Sequence, residues 1–307
     1  MDTLDFNFKK SRGLRDLLSD YISLFKKIFK HFNAHIITIS LPFIALFLLL
    51  IFYFTTYITQ LINSPNDFSV VFIFSLILPA LVFFFLLYLL VSTFGIEYMF
   101  LLEEKGSTDF TAKDIFKRIK TNLKKYVLFF LSSIVVSLVL IIPLGLVYFI
   151  LMFIPLIGMV ALGVLSAMLT LFFYCALFLY IQGRERLWDS YKAAFYLIKS
   201  KMFEYGLAAY IFQFLTQIIL GVLTLIPLAV LFIIGFNTTV SFDHFFESFG
   251  GKILLSIGGS IMTLFIIITT IYMISFYVLQ YFSLLEINYS EDTLDQIDQI
   301  GTTKDEF

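Results

Sequence analysis

Six long apolar stretches, separated by short polar segments, dominate the chain. Each is long enough to cross the roughly 30 Å hydrocarbon core of a bilayer, which takes about 20 helical residues. Their apolar residues are continuous and do not alternate with polar ones, so transmembrane β-strands are excluded and backbone groups must be satisfied within helices. The pattern predicts an all-α membrane protein whose six spans are His35 to Ile62, Ser69 to Leu102, Tyr126 to Met152, Gly158 to Ile181, Met202 to Phe236 and Ile253 to Leu285.

The least certain division is the one between the third and fourth spans. There the chain reads Phe153-Ile154-Pro155-Leu156-Ile157, and it must form a tight turn with Pro155 and Gly158 as the helix breakers. If this segment is helical, the number of spans changes.

Three charged segments precede the first, third and fifth spans, and each carries apolar residues at helical spacing. They are predicted to be cytosolic amphipathic helices at residues 1–34, near 107–125 and near 184–201. Their apolar faces should rest among lipid headgroups, with each lysine against anionic lipid contributing on the order of 1 kcal/mol. The candidate lipid contacts are Lys26, Lys27, Lys30, Lys124, Lys125, Lys199 and Lys201.

The same three segments suggest an internal repeat aligned on Asp16, Asp114 and Asp189. Similar apolar residues follow each aspartate two, five and nine positions on, and a lysine follows ten positions on. One interpretation is three units, each a surface helix followed by a transmembrane hairpin. The other is that an early Asp and a late Lys complement any helix dipole. The sequence leaves both open, although the second helix has a clear start at Thr111, where Thr111 and Asp114 resemble a capping box.

The distribution of charge predicts the orientation. Of the 21 basic residues, only Lys252 falls on the side opposite to the rest, and basic residues stay cytoplasmic. Both termini are therefore predicted to lie in the cytosol, at a bacterial-type cytoplasmic membrane. The first 34 residues do not resemble a removable signal peptide, and the acidic tail at 286–307 is predicted to be disordered.

Composition agrees with this class and narrows the chemistry. The chain is 60% hydrophobic and only 14% charged, far from an ordinary soluble domain. Its single cysteine, Cys175, has no partner for a disulfide. We expect no cofactor and no nucleic-acid partner; membrane lipids, a membrane-protein partner or a second copy of the chain are the expected contacts.

Candidate chemical groups are few. His31 and His35 could share a helix face, but two ligands do not make a metal site, and His244 is predicted to lie on the other side of the membrane. Glu97, Glu204 and Glu286 lie near the cytosolic ends of spans, where anchors that reach water or basic neighbours such as Arg184 and Lys201 are expected. The loop carrying Asp243, His244 and Glu247 offers no nucleophile with a positioned base.

The most polar patch within any span is formed by Gln213, Thr216 and Gln217, with Gln280 of the sixth span expected within reach. Such amides usually join helices by hydrogen bonds. A path for a polar ligand is the alternative.

The segment Arg186-Leu187-Trp188-Asp189-Ser190-Tyr191-Lys192-Ala193-Ala194, with Lys199 and the span through Ile226-Pro227, carries a resemblance that covers most of residues 107 to 285. It resembles uncharacterised bacterial six-helix membrane proteins related to the membrane domain fused to some glycerophosphodiester phosphodiesterases. The phosphodiesterase catalytic domain has no counterpart here, so the resemblance implies a membrane module and no catalytic residue.

Three functions stand in order. The favoured one is a non-enzymatic scaffold or accessory subunit that contacts lipid. The second is a transporter or lipid-handling permease that uses the Gln213 and Gln217 region, and the third is a membrane enzyme.

Overall fold

The computed structural model describes residues 4–63, 70–237 and 248–289, and within them the chain is helical, with seven α-helices and no β-strand. Six of the helices are long and apolar enough to cross a membrane. The prediction of an all-α protein with six candidate spans is therefore confirmed. The helices are α1 (Leu14–Asn63), α2 (Val70–Lys105), α3 (Ala112–Met152), α4 (Ile157–Ile181), α5 (Leu187–Ile198), α6 (Met202–Asn237) and α7 (Phe249–Tyr289).

The third and fourth spans are separate, as predicted: α3 ends at Met152 and α4 begins at Ile157. Leu156 adopts a φ of 61° in the turn between them, a conformation that is costly for a side chain with a Cβ atom. The turn also needs Gly158, because a Cβ atom there would lie 2.0 Å from the Leu151 carbonyl oxygen. Pro155 and Gly158 thus end one helix and allow the next to start.

Two of the three predicted surface helices are continuous with the spans that follow them. α1 has 50 residues without a break and α3 has 41, which correspond to roughly 75 and 60 Å. Both exceed the 40–45 Å of a whole bilayer. Only α5 is a separate short helix, with a break at residues 199–201 before α6.

The chain divides into two compact units. Unit 1 comprises the described residues within Met1–Phe29, Thr93–Phe214 and Tyr272–Phe307, and unit 2 comprises those within Lys30–Ser92 and Leu215–Ile271. α3, α4 and α5 belong entirely to unit 1, whereas α1, α2, α6 and α7 contribute one part to each unit.

Unit 1 has a dense aromatic core. The ring of Tyr21 packs edge-on against Phe212 and Phe276, and Phe100 packs against Phe178 and Phe282. Edge-to-face pairs of this kind contribute beyond the area they bury.

This core corrects one expectation about α1. Leu17, Tyr21 and Ile28 are buried inside unit 1, whereas Ile22 and Phe29 remain exposed. The expectation that the whole apolar face of this helix rests among lipid headgroups is wrong at the buried positions, because the helix packs on other helices of its own unit.

Large apolar side chains are exposed over long, continuous parts of the surface. In unit 1 they cover α3 from Leu131 to Met152, where Ile142 is 71% exposed. In unit 2 they cover parts of all four helices, while Phe47 and Phe83 stack in the interior. Apolar surface of this extent is typical of contact with a membrane.

Candidate functional site

A buried arginine organises the residues that precede α1. Arg12 is 2% exposed. Its Nη1 donates to the carbonyl oxygens of Phe8 and Lys10 at 2.9 and 3.0 Å, and its Nη2 donates to that of Asn7. The guanidinium group thus binds three backbone carbonyl oxygens at once. A lysine cannot reproduce this arrangement.

Asp20 balances the charge of Arg12. Arg12 Nε lies 2.9 Å from the Asp20 carboxylate. Burial lowers the pKa of the guanidinium, and the hydrogen bond and charge of Asp20 raise it. Because an arginine in a protein keeps its proton, the pair is a permanent link between the N-terminal segment and the second turn of α1.

A second polar cluster joins three parts of the chain around Tyr205. The Tyr205 hydroxyl donates to the Arg12 carbonyl at 2.9 Å, and the Arg12 backbone N–H donates to Ser283 Oγ at 3.0 Å. Tyr205 and Ser283 are themselves 2.8 Å apart. The single proton of the Tyr205 hydroxyl is donated to the Arg12 carbonyl, so the Ser283 hydroxyl must donate to the Tyr205 oxygen. Each of the three groups therefore has a hydrogen-bond partner.

Glu204 connects α6 to the start of α1. One carboxylate oxygen accepts the backbone N–H of Leu14 at 3.0 Å, and the other lies 2.7 Å from Lys201 Nζ. An acidic side chain at a helix N-terminus satisfies an otherwise unpaired donor and complements the helix dipole. The predicted basic neighbour Lys201 is thus confirmed for this residue.

Glu97 forms the third cluster, which joins α2 to α3. Its carboxylate is fully buried and accepts from Arg118 Nε at 3.1 Å, Asn122 Nδ2 at 2.7 Å and Tyr126 hydroxyl at 3.0 Å. Arg118 also pairs with the exposed Glu104. Glu97 was expected to reach water or a basic neighbour; it is shielded from water and reaches the basic neighbour Arg118, because α3 supplies three donors that take the place of water. Glu286 is of intermediate exposure.

The glutamine patch is only partly assembled. Gln280 is fully buried, and its amide donates to the Tyr205 carbonyl at 2.8 Å, two helical turns before Gln213 on α6. Its oxygen Oε1 has no hydrogen-bond partner among the residues that the structure describes. Gln213 and Thr216 are of intermediate exposure and Gln217 is exposed. Gln280 therefore joins helices through the backbone of α6, as interhelical amides commonly do.

The seven candidate lipid-binding lysines fall into two groups. Lys26, Lys30 and Lys124 are exposed. The other four contact the protein: Lys27 donates to the Asp5 carbonyl, Lys125 donates to the Ile181 carbonyl at 2.8 Å, Lys199 lies 4.6 Å from the centre of the Tyr196 ring, and Lys201 pairs with Glu204. Lys125 thereby caps the C-terminal end of α4.

One face of α5 is buried and the opposite face is exposed. On the buried face, Tyr191 is 2.8 Å from Ser132 Oγ of α3 and stacks on Phe129. Burial raises the pKa of Tyr191 and the Ser132 hydrogen bond lowers it. The exposed face carries aromatic and basic side chains together: Trp188, Lys192, Phe195, Tyr196 and Lys199.

Apolar grooves lie beside α3 and α4 in unit 1. The larger has a volume of about 660 Å³ and is formed by α3, α4 and the start of α6, with Leu151, Val160 and Phe203 among its lining. Its lining side chains are all apolar, so it suits a hydrocarbon chain better than a polar solute. α4 and α6 meet closely beside it, since a Cβ atom at Gly163 would lie 2.1 Å from the Tyr210 ring.

The other candidate groups either form no metal-ligand cluster within the described residues or lie outside those residues. The rings of His31 and His35 are 4.2 Å apart, and one nitrogen of His35 is 2.8 Å from the His31 carbonyl oxygen. In the part of the chain that the structure describes, no three His, Cys, Asp or Glu side chains are grouped as metal ligands. Asp243, His244 and Glu247 and the acidic tail from residue 290 lie outside that part.

Sequence reasoning missed the roles of Arg12, Tyr205 and Ser283. The signal for Arg12 is its position two residues before a helix start, next to Gly13. Tyr205 and Ser283 sit in apolar stretches and give no local signal, because their partners are 193 and 271 residues away.

Comparison of the chain with family models, curated proteins and solved structures finds no match in any of the three. The fold therefore defines a class and no family. That class is the all-helical protein with six apolar helices of membrane-spanning length.

Proposed function

We propose that this protein is a non-enzymatic scaffold or accessory subunit of a bacterial cytoplasmic membrane, with both termini in the cytosol. In this proposal the exposed apolar surfaces contact lipid, and the basic ends of the helices form a cytosolic platform for a protein partner. The near-exclusive placement of basic residues on one side supports the orientation.

The observation that carries the proposal is that the buried charged side chains form structural hydrogen bonds. Among the described residues, Arg12 and Glu97 are the charged side chains that are buried. Arg12 holds backbone carbonyls and Asp20, and Glu97 holds three donors of α3. Buried ionisable groups in a coupled transporter or enzyme must gain and lose protons or ligands. Here both are held by structural hydrogen bonds.

Chemical cross-linking in native membranes followed by purification tests the scaffold role. The expected result is one partner that copurifies reproducibly and is absent when an unrelated six-span protein is purified at matched expression. A monomer that carries only lipid would contradict the proposal.

A lipid-handling permease is the second candidate, and the apolar groove between α3, α4 and α6 is the observation that favours it. Reconstitution into liposomes with fluorescent phospholipid measures scrambling. Scrambling that is abolished by changing Gln213 and Gln217 to leucine would favour the permease over the scaffold. If the wild-type protein does not scramble lipid, the lipid-handling permease is excluded.

A further inference from the structure

Four lysines of α3 form a single exposed line. Lys113, Lys117, Lys120 and Lys124 are spaced by four, three and four residues, so they share one face of the helix over about 16 Å. All four are exposed. None of them forms an ion pair within the described part of the chain. We call this set the lysine stripe.

The other basic residues of the same helix segment have structural partners. Arg118 pairs with Glu97 and Glu104, and Lys125 caps α4 at the Ile181 carbonyl. The stripe is therefore not a general consequence of a basic helix. It contains the exposed lysines of α3 that form no ion pair within the described residues, although the charge of Lys117 also acts on Asp114.

The lower part of the stripe extends away from the membrane-spanning part of α3. Lys125 lies level with the end of α4, where the exposed polar residues 182–186 begin. Lys113 and Lys117 lie about 18 and 12 Å further along the helix axis. A tilt of about 40°, the upper end for transmembrane helices, still leaves Lys113 about 14 Å beyond Lys125. A headgroup layer is only about 5–8 Å deep.

An apolar edge runs beside the lysines. Phe116 and Leu123 are 45% and 42% exposed, and their positions place them together on one flank of the stripe. A row of cations with an apolar flank complements an acidic amphipathic helix. A free phosphate or a phosphate backbone would use the cations and leave Phe116 and Leu123 in water.

We infer that the lysine stripe of α3 is a docking surface for an acidic amphipathic helix of a cytosolic protein partner. Carboxylates of that helix pair with the four lysines, and its apolar residues cover Phe116 and Leu123. This inference rests on the proposed scaffold role and names the class of partner that the scaffold holds.

The test uses the full-length protein in nanodiscs of phosphatidylcholine, a neutral lipid. The probe is a fluorescent helical peptide of about 15 residues that carries four glutamates at the spacing of the stripe and leucines on one flank. Its matched control has glutamine in place of each glutamate. Fluorescence anisotropy measures both affinities at low and high salt.

Two protein variants separate the stripe from net charge. The stripe variant carries Lys113→Gln, Lys117→Gln, Lys120→Gln and Lys124→Gln. The charge control carries Arg15→Gln, Lys26→Gln, Lys30→Gln and Lys192→Gln, which removes the same four charges from other exposed positions. We expect at least about tenfold weaker binding of the glutamate peptide to the stripe variant, and less than about twofold weaker binding to the charge control.

Three results of the binding assays would overturn the inference. They are equal binding of the glutamate and glutamine peptides, equal loss of affinity in the two variants, and binding of a single-stranded oligonucleotide as tight as that of the glutamate peptide. A fourth is loss of copurifying phosphatidylglycerol from the stripe variant without peptide binding by the wild type, which would assign the stripe to lipid.

Failure of the scaffold role is distinguishable from failure of the stripe. If no native partner copurifies but the peptide binds through the stripe, the scaffold fails and the stripe stands. If a native partner copurifies equally with the stripe variant, the docking surface lies elsewhere and this inference fails.

Discussion

At the scale of single residues, the strongest constraints come from side chains that hold distant parts of the chain together. Arg12 is the clearest case, since it contacts three carbonyls and Asp20 and its backbone contacts Tyr205 and Ser283. Phe8 is 5% exposed and packs on Phe282. Residues 4–13 are thus an ordered part of unit 1 although they precede the first helix.

Arg12→Lys should release this N-terminal segment. A lysine supplies one ammonium in place of a planar fork and cannot hold three carbonyls and a carboxylate at once. We expect amide exchange in residues 4–13 to become at least about tenfold faster, measured by hydrogen–deuterium exchange with mass spectrometry. Arg15→Lys, at an exposed position, should leave the exchange unchanged; a similar increase in both variants would contradict the role of Arg12.

Glu97 is a buried charge whose contribution to the free energy of unfolding depends on its hydrogen-bond partners. Glu97→Ala leaves the Tyr126 hydroxyl and the Asn122 amide without their acceptor and should cost about 3 kcal/mol of unfolding free energy. Glu104, which pairs with the same Arg118, is exposed, so Glu104→Ala should cost less than about 1 kcal/mol.

Unfolding of purified protein in mixed detergent micelles with increasing dodecyl sulfate compares the two variants. Similar costs for Glu97→Ala and Glu104→Ala would show that burial of Glu97 does not matter to stability. The expected order has Glu97→Ala unfolding first.

At the scale of elements, the α3–α4 turn is the point where local sequence and packing agree. Phe153, Leu156 and Ile157 are more than two-thirds exposed although they are apolar, and local backbone hydrogen bonds satisfy the turn, such as Gly158 N–H to the Ile154 carbonyl at 2.8 Å. A satisfied backbone with apolar side chains suits a turn that lies near or within lipid.

Gly158→Ala should disrupt this turn, because its Cβ atom would lie 2.0 Å from the backbone oxygen of Leu151. We expect a loss of about 1–3 kcal/mol, the usual cost of overpacking. Gly145→Ala is the matched control within α3, since a Cβ atom there meets nothing within 4 Å. It should be neutral or slightly stabilising. The same detergent unfolding assay ranks the two, and equal effects would contradict this account of the turn.

The three aligned segments of the internal repeat remain a prediction after their burial is compared. Five positions after the aligned aspartates, Tyr21, Ile119 and Ala194 are all buried. Ten positions after, the lysines are all exposed. Nine positions after, however, Leu123 is 42% exposed whereas Ile198 is fully buried. The three segments therefore agree in the exposure of the positions five and ten residues on, but not in that of the position nine residues on.

At the scale of the whole molecule, the orientation is the property most open to a direct test. Cys175 is fully buried, so a membrane-impermeant maleimide should not label the native protein. Lys120→Cys should be labelled only after the inner face is exposed, and Lys252→Cys should be labelled in intact cells. Labelling of both from the same side would overturn the predicted topology.

The extent to which sequence predicted the fold differs between levels. The helices of the second, fourth, fifth and sixth spans were predicted to within a few residues at both ends, and the end of the third was placed at Met152 as observed, because hydropathy is a local property of the sequence. The starts of the helices that carry the first and third spans, Leu14 and Ala112, lie well before the predicted His35 and Tyr126. The continuation of α1 and α3 through both polar and apolar segments was not predicted. A change from polar to apolar composition predicts where a helix enters lipid, but it does not interrupt helical hydrogen bonds, and α1 and α3 continue even through Pro42 and Pro143.

The candidate site was less predictable than the fold. Gln280 was singled out as part of a polar patch with Gln213, Thr216 and Gln217; the hydrogen bond observed for its amide goes to the Tyr205 backbone. Lys125 and Lys201 were assigned to lipid, yet they contact Ile181 and Glu204. A lysine beside a span has the same appearance in sequence whether it meets a phosphate or a helix end.

The sequence by itself determined six apolar helices and the turn at Pro155 and Gly158, and it predicts that the positive charge lies on one side of the membrane. These follow from hydrogen-bond satisfaction in lipid, backbone sterics and charge, which act over a few neighbouring residues. Only the tertiary structure decided that Leu17, Tyr21 and Ile28 of α1 are buried, that Glu97 meets Arg118 and that Arg12 meets Ser283. It also decided which lysines of α3 form no ion pair within the described residues. Such pairings depend on helix register and packing between residues far apart in the chain, and no local pattern encodes them.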